Sequence, residues 1–325
     1  MKVSIVIPTH NRLGLLKRTL YALSRLTYPR RDFEVVVVDD ASEDGTHQFL
    51  RTLSPPYTYH FFRHAVNRHL SAARNTGIRH ARGDLIVFLD DDMETIPHFL
   101  EEHVKFHSHG RRVAVMGDVQ VAPGVPRTGI VRYLSTRGVH KLKSGQRVPF
   151  KYVLFSNASI PRLILFEVGL FDEQIVAYGG EDLELTFRLK TLGNIDFMYA
   201  PQAVSYHMHY RSLDDVCRLT FDYGRASLAY MIQKHPELAQ TVKAHLMEPI
   251  RLKNDPLTLM AGKLLLKAAM NPLLYKAAKW YARKGTSGSP AFLYDFIIAY
   301  NYLTGLQHSL RDRKSTPARK KERRA

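Results

Sequence analysis

The sequence of 325 residues contains one cysteine, Cys217, and no uninterrupted apolar run long enough to cross a bilayer. A single cysteine excludes an internal disulfide and is typical of a protein from a reducing compartment. The beginning of the sequence lacks the layout of a signal peptide. We therefore expect a cytoplasmic protein that can lie peripherally at the inner face of a membrane.

Two phosphate-binding motifs are also missing. No G-x-G-x-x-G follows the first apolar segment, and no G-x-x-x-x-G-K-[ST] occurs anywhere in the chain. The first absence disfavours dinucleotide-dependent dehydrogenases, and the second disfavours P-loop enzymes.

Basic residues are abundant: 47 lysines and arginines against 30 acidic residues give a net charge of +17. Anionic membranes, nucleic acids and anionic substrates are the partners that such a charge favours. Residues 311–325 are rich in basic residues and lack apolar ones, which predicts a disordered tail that either attracts acidic lipids or only keeps the chain in solution. No nucleic-acid partner is expected, because no recognised nucleic-acid-binding module is present.

The central feature of the sequence is the apolar segment Leu85–Leu89, which is followed by Asp90, Asp91 and Asp92. The segment is short and rich in Ile, Val and Phe, which predicts a strand buried on both faces in a parallel sheet. Ligands of open α/β sheets bind where such strands end. Three adjacent carboxylates there form either a solvated acidic turn or a site for a hard divalent cation, Mn²⁺ or Mg²⁺.

Strands and helices alternate before this segment. We predict strands at 3–7, 34–40 and 57–63, and helices at 12–26, 44–53 and 71–81, with Ser42 or Asp44 capping the second helix and Ser71 the third. This order indicates an α/β fold with a doubly wound, mostly parallel sheet. Residues 211–310 are helical by pattern, and their apolar stripes are typical either of a subdomain packed on the core or of helices in a membrane interface.

Four sequence blocks resemble those of family 2 glycosyltransferases with the GT-A fold. They are Val3–Arg12, Val36–Thr46, Ala72–Ile78 and Phe88–Asp92. Phe155–Arg162, Gly169–Glu173 and the Glu-Asp block Tyr178–Leu189 extend the resemblance to about residue 210. It implies a GT-A catalytic domain at 1–210, followed by a helical extension at 211–310 and the basic tail at 311–325.

The resemblance also implies an activity. Such enzymes transfer a sugar from a nucleoside diphosphate sugar, here most simply a UDP-sugar, to a hydroxyl of a glycan or lipid-linked glycan, with metal assistance and inversion. Carried over, the residues that bind the nucleotide sugar are Pro8, Thr9, Asn11, Arg12, Asp39, Asp40, Arg74, Asp90 and Asp91. Three have simpler interpretations: Thr9 as a turn residue, Asp39 as a helix cap, and Arg74 as a surface arginine paired with a nearby acid such as Asp84.

The family pattern makes Asp92 the direct ligand of Mn²⁺ or Mg²⁺, with Asp90 and His207 as further ligands. Because all three residues of the triplet are aspartates, register alone does not separate their roles, and His209 is an alternative to His207. The cation would stabilise the charge of the diphosphate leaving group.

The Glu-Asp block supplies the second carboxylate pair. A sugar hydroxyl is a weak nucleophile, so a carboxylate must accept its proton as it attacks. We assign Asp182 as general base and Glu181 as a sugar ligand, although both positions also suit a helix N-terminus.

Two other functions compete with this interpretation. A sugar-phosphate nucleotidyltransferase shares the carboxylate-bound metal, but the first loop, residues 8–12, lacks the glycines that such an enzyme would need. A non-catalytic protein that binds nucleic acid or membrane would account for the charge alone.

Overall fold

The structure, a computed structural model, describes residues 1–107, 112–136, 139, 142–191, 195–252, 254–284 and 289–315. The chain divides into two compact units. The first contains residues 1–176 and 181–210, and the second contains residues 177–180 and the chain from residue 211 onward.

Within the described residues of the first unit, eight strands form one sheet. They are β1 (Val3–Thr9), β2 (Phe33–Asp39), β3 (Thr58–Arg63), β4 (Leu85–Leu89), β5 (Met93–Thr95), β6 (Val113–Val121), β7 (Asn157–Pro161) and β8 (Asp196–His207). Their order across the sheet is β3-β2-β1-β4-β7-β6-β8-β5. The first four are parallel, and β7 pairs antiparallel with both β4 and β6. The predicted α/β class with a mostly parallel sheet is confirmed.

Helices connect the strands and continue beyond the sheet. Those of the first unit are α1 (Leu13–Leu23), α2 (Thr46–Thr52), α3 (His69–His80), α4 (Phe99–Val104), α5 (Gly129–Ser135), α6 (Arg162–Glu167) and α7 (Glu181–Thr191). Those of the second unit are α8 (Leu213–Tyr223), α9 (Ala229–Lys234), α10 (Leu238–Thr241), α11 (Leu257–Ala269), α12 (Pro272–Lys284) and α13 (Ala291–Ser315).

The sheet is covered on both faces, which explains its continuous apolar strands. Along β4, Ile86 and Phe88 pack into one hydrophobic cluster, whereas Leu85, Val87 and Leu89 pack into another. Successive side chains of a strand point to opposite faces, so β4 contributes to both clusters at once. The acidic triplet therefore follows a strand that is fixed from both sides.

Helix α3 lies close against β1 because Gly77 has no side chain. A Cβ atom at this position would overlap Val6 Cγ1. The predicted cap of this helix is wrong: α3 begins at His69, before Ser71, and no side chain caps its first residue. Arg74, which a helix beginning near Ser71 would place in the first turn, lies in the second turn and is buried. In α2 the residue that precedes the helix is Gly45, although Asp44 Oδ1 does accept a hydrogen bond from Thr46 N at 3.1 Å.

A buried polar network supports β7. His103 contacts Asn157 Oδ1 through Nε2 at 2.9 Å and Ser159 Oγ through Nδ1 at 3.0 Å. Asn157 in turn donates to the carbonyls of Asp118 and Ala203 at 3.1 and 2.9 Å. Because these polar groups are paired, the sheet accommodates them in its interior without a large desolvation penalty.

Burial of His103 makes the stability of the protein depend on pH. Burial lowers the pKa of His103 to about 4, against about 6.5 in an unfolded chain. As pH falls below about 6.5 the unfolded state binds a proton that the folded state does not, so stability falls until pH reaches about 4. At about 1.4 kcal/mol per pKa unit, we expect this residue to account for a loss of about 3 kcal/mol.

Denaturant unfolding between pH 7 and pH 4 tests this expectation. His103→Gln should lose stability less steeply over that range than the wild type, and His98→Gln, at an exposed histidine, should follow the wild type. Equal slopes for His103→Gln and the wild type would show that His103 is not the group responsible.

The second unit is helical, as predicted for residues 211–310. Helix α13 extends to Ser315, which is five residues into the predicted tail. The rest of the predicted tail, including Arg319, Lys320, Lys321, Arg323 and Arg324, lies outside the described residues. Among the described residues no single helix has the length and apolar character of a membrane span. Helices α11 and α12 reach that length and apolar character only when they are taken together, and the chain bends by 66° between them.

Candidate active site

The carboxyl ends of β1, β2 and β4 lie side by side at one edge of the sheet. Thr9, the last residue of β1, donates a hydrogen bond from Oγ1 to Asp91 Oδ2 at 2.7 Å. Its carbonyl accepts from the backbone N–H of Asp40 at 2.9 Å. Pro8 pairs with Val38 in the same ladder. The first and second predicted loops and the acidic triplet are thus brought together.

The two aspartates after β2 face different partners. Asp39 Oδ1 accepts from Ser42 N at 2.8 Å and thereby fixes the turn, while its buried Oδ2 lies 3.6 Å from Arg63 Nε. Asp40 Oδ1 accepts from Arg68 N at 2.8 Å and lies 2.6 Å from His64 Nδ1. Asp40 is therefore oriented by contacts from the loop after β3.

Asn11 was predicted to bind the donor. In the structure it stabilises the loop that follows β1. Its Oδ1 accepts from Glu43 N at 2.7 Å, and its N–H donates to Ser42 Oγ at 2.9 Å. Asn11 and Ala41 both have positive φ angles, 53° and 60°, which are uncommon for residues with a side chain. Asn11 thus joins the loops that follow β1 and β2.

Arg12 neutralises two carboxylates of the triplet. Its Nη1 lies 2.6 Å from Asp92 Oδ2 and 3.4 Å from Asp91 Oδ1. Burial raises the pKa of Asp91 to about 7, although the charge of Arg12 and the hydrogen bond from Thr9 act in the opposite direction. Asp91 is itself buried, with 5% of its surface exposed.

Asp92 and His207 form the part of the site that suits a cation. His207 ends β8, opposite Met93 of β5, and its Nε2 lies 3.3 Å from Asp92 Oδ2. Burial opposes ionisation of Asp92, but the contact with His207 and the charge of Arg12 bring its pKa below the usual value. Asp92 Oδ1 is buried and accepts no hydrogen bond from any residue that the structure describes.

Asp90, the third predicted metal ligand, does not join this pair. Its Oδ1 accepts from Arg74 Nη2 at 3.1 Å. Across the described ranges, no group of three His, Cys, Asp or Glu side chains has the spacing of a metal site. Mn²⁺ and Mg²⁺ commonly take only one or two carboxylates and complete their coordination with substrate phosphates and water. An unpartnered carboxylate oxygen beside an imidazole fits such a cation.

Arg74 is the centre of a second cluster, which contains the Glu-Asp block. Its side chain is only 2% exposed. Nη1 donates to Asp182 Oδ1 at 2.8 Å and lies 3.5 Å from Glu181 Oε1, while Nη2 donates to Asp90. One guanidinium therefore joins the acidic triplet to α7, which begins at Glu181.

The carboxylates of this cluster differ in their surroundings. Burial raises the pKa of Glu181 to about 7, and the charge of Asp182 adds to the effect. Asp182 is held at both oxygens, because Oδ2 accepts from Phe155 N at 3.1 Å while Oδ1 accepts from Arg74. At 14% exposure its side chain still reaches the surface. An oriented, accessible carboxylate of this kind can accept a proton from a bound hydroxyl.

Sequence reasoning missed three of the positioning contacts. His64, one of sixteen histidines and not among the predicted site residues, connects Asp40 to Thr76 Oγ1, which lies 2.9 Å from Nε2. Asn75 exchanges two hydrogen bonds of 2.9 Å with the backbone of Phe171. Arg12 was assigned to the donor but pairs with Asp92. Partners so distant in sequence leave no local pattern, and only the motif blocks themselves pointed to this region.

Comparisons with known proteins show which family the chain resembles. The family model described as glycosyl transferase family 2 matches residues 4–164. An uncharacterized glycosyltransferase of Bacillus subtilis, YfnE, is 27% identical over 298 residues, covering 76% of this chain and 73% of the relative. A validoxylamine A glucosyltransferase of Streptomyces hygroscopicus is 29% identical over 218 residues, and the match covers 59% of this chain but only 52% of that relative.

Among solved structures, the fold is similar to the mannosyltransferase PcManGT of Pyrobaculum calidifontis, solved in complex with GDP-Man and Mn²⁺. The TM-score is 0.62 at 21% sequence identity, and the match covers 96% of this chain and 87% of that one. The likeness establishes the GT-A fold. Through residues 4–164, the chain belongs to glycosyl transferase family 2.

Proposed function

We propose that this glycosyltransferase moves a sugar from a nucleoside diphosphate sugar, most simply a UDP-sugar, to a hydroxyl of a glycan or lipid-linked glycan, with inversion. The observation that carries the proposal is the Arg74 cluster. It holds Asp90, at the end of β4, and Asp182, at the start of α7, on one guanidinium. A donor bound at the sheet edge and an acceptor hydroxyl beside Asp182 would then meet at this cluster.

The donor side is built from the ends of the parallel strands. Pro8, Thr9, Asp39 and Asp40 would contact the nucleobase. The buried Oδ2 of Asp39 accepts no hydrogen bond from the described residues, although Arg63 Nε lies 3.6 Å away. Asp90, which remains 31% exposed, would contact the ribose or the sugar. Arg12 lies beside Asp92 and Arg74 lies beside Asp90, so in this proposal both guanidinium groups supply positive charge near the diphosphate.

Asp92 and His207 would hold Mn²⁺ or Mg²⁺. When bound, the cation supplies positive charge to the diphosphate leaving group. Asp92 offers its unpartnered Oδ1 for this purpose, and Arg12 provides the compensating charge in the structure described here.

Asp182 is the proposed general base. The acceptor oxygen forms a bond to the anomeric carbon while the bond between that carbon and the diphosphate oxygen breaks, and the hydroxyl proton passes to Asp182. Because attack and departure occur on opposite sides in a single displacement, the configuration inverts. Arg74 and Phe155 N orient the carboxylate, and a preformed orientation lowers the entropic cost of the step.

In this proposal the acceptor lies at an anionic membrane, and the basic end of the chain contacts that membrane. Helix α13 extends into this basic end as far as Ser315. Basic residues near an anionic surface contribute about 1 kcal/mol each, so a few are enough for reversible attachment.

Thermal unfolding against UDP, GDP and dTDP, each with and without Mn²⁺, tests the donor site. We expect one diphosphate to raise the melting temperature only when the metal is present, because the ligand binds only the folded state. Asp92→Asn should remove the shift, whereas Asp84→Asn, at an exposed aspartate, should retain it. No shift with any nucleotide under any metal condition would contradict the proposed donor class.

A further inference from the structure

We propose that α11 and α12 form a docking surface for an anionic lipid bilayer. This surface, called the α11–α12 face below, consists of Leu257, Leu264, Leu265, Leu273, Leu274, Trp280 and Tyr281. The inference goes beyond the proposed sugar transfer, because it assigns a binding role to helices that contribute none of the candidate catalytic residues.

Helix α11 presents its apolar side to the outside. Its only fully buried residue is Lys263, whose Nζ donates to Asp255 Oδ2 at 2.8 Å and to Pro249 O at 3.1 Å. Leu257 and Leu265 are 83% and 71% exposed. A helix on the surface of a water-soluble domain normally has the opposite arrangement, with leucine inside and lysine outside. The reversed arrangement indicates that the outer side of α11 contacts an apolar phase.

Helix α12 continues the same character after a bend of 66°. Leu273 is 73% exposed and Trp280 is 58% exposed. Tyr281 lies beside Trp280 and is also exposed. Tryptophan and tyrosine are the residues enriched where a protein crosses from lipid headgroups into the acyl region. Two helices therefore offer apolar residues together with interfacial aromatic residues.

The charged residues within α11 and α12 all have one sign. Residues 257–284 contain six basic residues and no acidic residue: Lys263, Lys267, Lys276, Lys279, Arg283 and Lys284. Lys279 and Arg283 pair with Asp214, but Lys267 and Lys276 are exposed and form no ion pair with the residues that the structure describes. An apolar face with lysines beside it matches the acyl and headgroup layers of an anionic bilayer.

Other occupants fit less well. A second copy would bring the same unpaired lysines against each other, which the net charge of +17 opposes. The sequence segments that fall outside the described residues contain one large apolar residue, Leu192, so they offer little to cover the face. A lipid surface satisfies both the apolar residues and the lysines.

The single tryptophan of the chain, Trp280, reports on this face directly. Vesicles of phosphatidylcholine with phosphatidylglycerol should shift its emission to shorter wavelength and protect it from acrylamide, whereas pure phosphatidylcholine should have a much weaker effect. The measurement uses the full chain without donor or metal, so its outcome is independent of the proposed transfer. Unchanged emission with anionic vesicles would overturn the proposal.

Vesicle flotation assigns the binding to residues. Leu265→Gln combined with Leu273→Gln should lower the partition coefficient on anionic vesicles by about tenfold or more. The reason is that two leucines that would be buried in the bilayer are lost. Leu163→Gln, at a leucine of α6 that is 72% exposed, is the matched control and should bind like the wild type.

Three results would contradict the proposal. The first is wild-type binding by the Leu265→Gln, Leu273→Gln variant. The second is loss of binding only when residues 316–325 are deleted, which would assign the membrane contact to the basic tail. The third is a dimer in light scattering that the double variant abolishes, which would assign the face to a second copy of the chain.

Discussion

Replacement of Asp182 by asparagine is expected to lower kcat by about 10²–10⁴-fold, the range over which general-base catalysis contributes. The variant keeps the size of the side chain but cannot accept a proton at neutral pH. Asparagine can still accept one of the two hydrogen bonds that Arg74 and Phe155 N donate, so the start of α7 should remain in place. Transfer should therefore fail after the donor has bound.

Steady-state kinetics together with donor binding test this assignment. Asp182→Asn should retain the metal-dependent nucleotide shift in melting temperature while kcat falls. Asp84→Asn, the same chemical change at an exposed position, should leave kcat unchanged. If Asp182→Asn keeps kcat within a few-fold of the wild type, Asp182 is not the base. If it loses nucleotide binding as well, Asp182 positions the site rather than accepting the proton.

Arg74→Met should lower the free energy of unfolding by about 3–5 kcal/mol, the cost of removing one partner from a buried ion pair. The change leaves three carboxylates, of Asp90, Glu181 and Asp182, without their shared cation. Arg82→Met, at an exposed arginine, is the control and should change stability by no more than about 0.5 kcal/mol.

The deficit of Arg74→Met should depend on pH. Burial already raises the pKa of Glu181 to about 7, and removal of Arg74 would raise it further. A carboxyl whose pKa is higher in the folded state contributes stability at low pH and loses it as pH rises through that pKa. Denaturant unfolding should thus show a smaller deficit at pH 5 than at pH 8. A deficit that is the same at both values would indicate lost packing rather than unpaired charge.

Part of this site follows from sequence because part of it is local. Strands β1, β2 and β4 are continuous apolar segments that end in polar residues, and parallel strands necessarily bring those ends to one edge. The family blocks then identified Thr9, Asp40, Asp92 and Asp182 as candidates at that edge. Their individual roles remain predictions, but their placement near one another was predictable.

The remainder of the site depends on contacts between distant segments. Arg74 and Asp182 are 108 positions apart, and no periodicity signals that one arginine will join Asp90 to Glu181. The three aspartates of the triplet are alike in sequence, yet each faces a different partner: Arg74, Thr9 or His207. Strand β7, which pairs antiparallel with both β4 and β6, was equally unpredictable, because a long stretch of chain that includes α5 separates it from β6.

The pairing of β5 with β8 also sets the order in which the site can assemble during synthesis. Asp92 leaves the ribosome early, after the residues that are proposed to contact the nucleobase. His207 follows only after β6, β7 and α7, and its position opposite Met93 closes a long loop. A nascent chain that ends before β8 thus contains the edge proposed to bind the nucleobase but lacks His207, the second side chain of the proposed cation site. Emergence of β8 completes this pair, so the proposed metal site would be the last part to form.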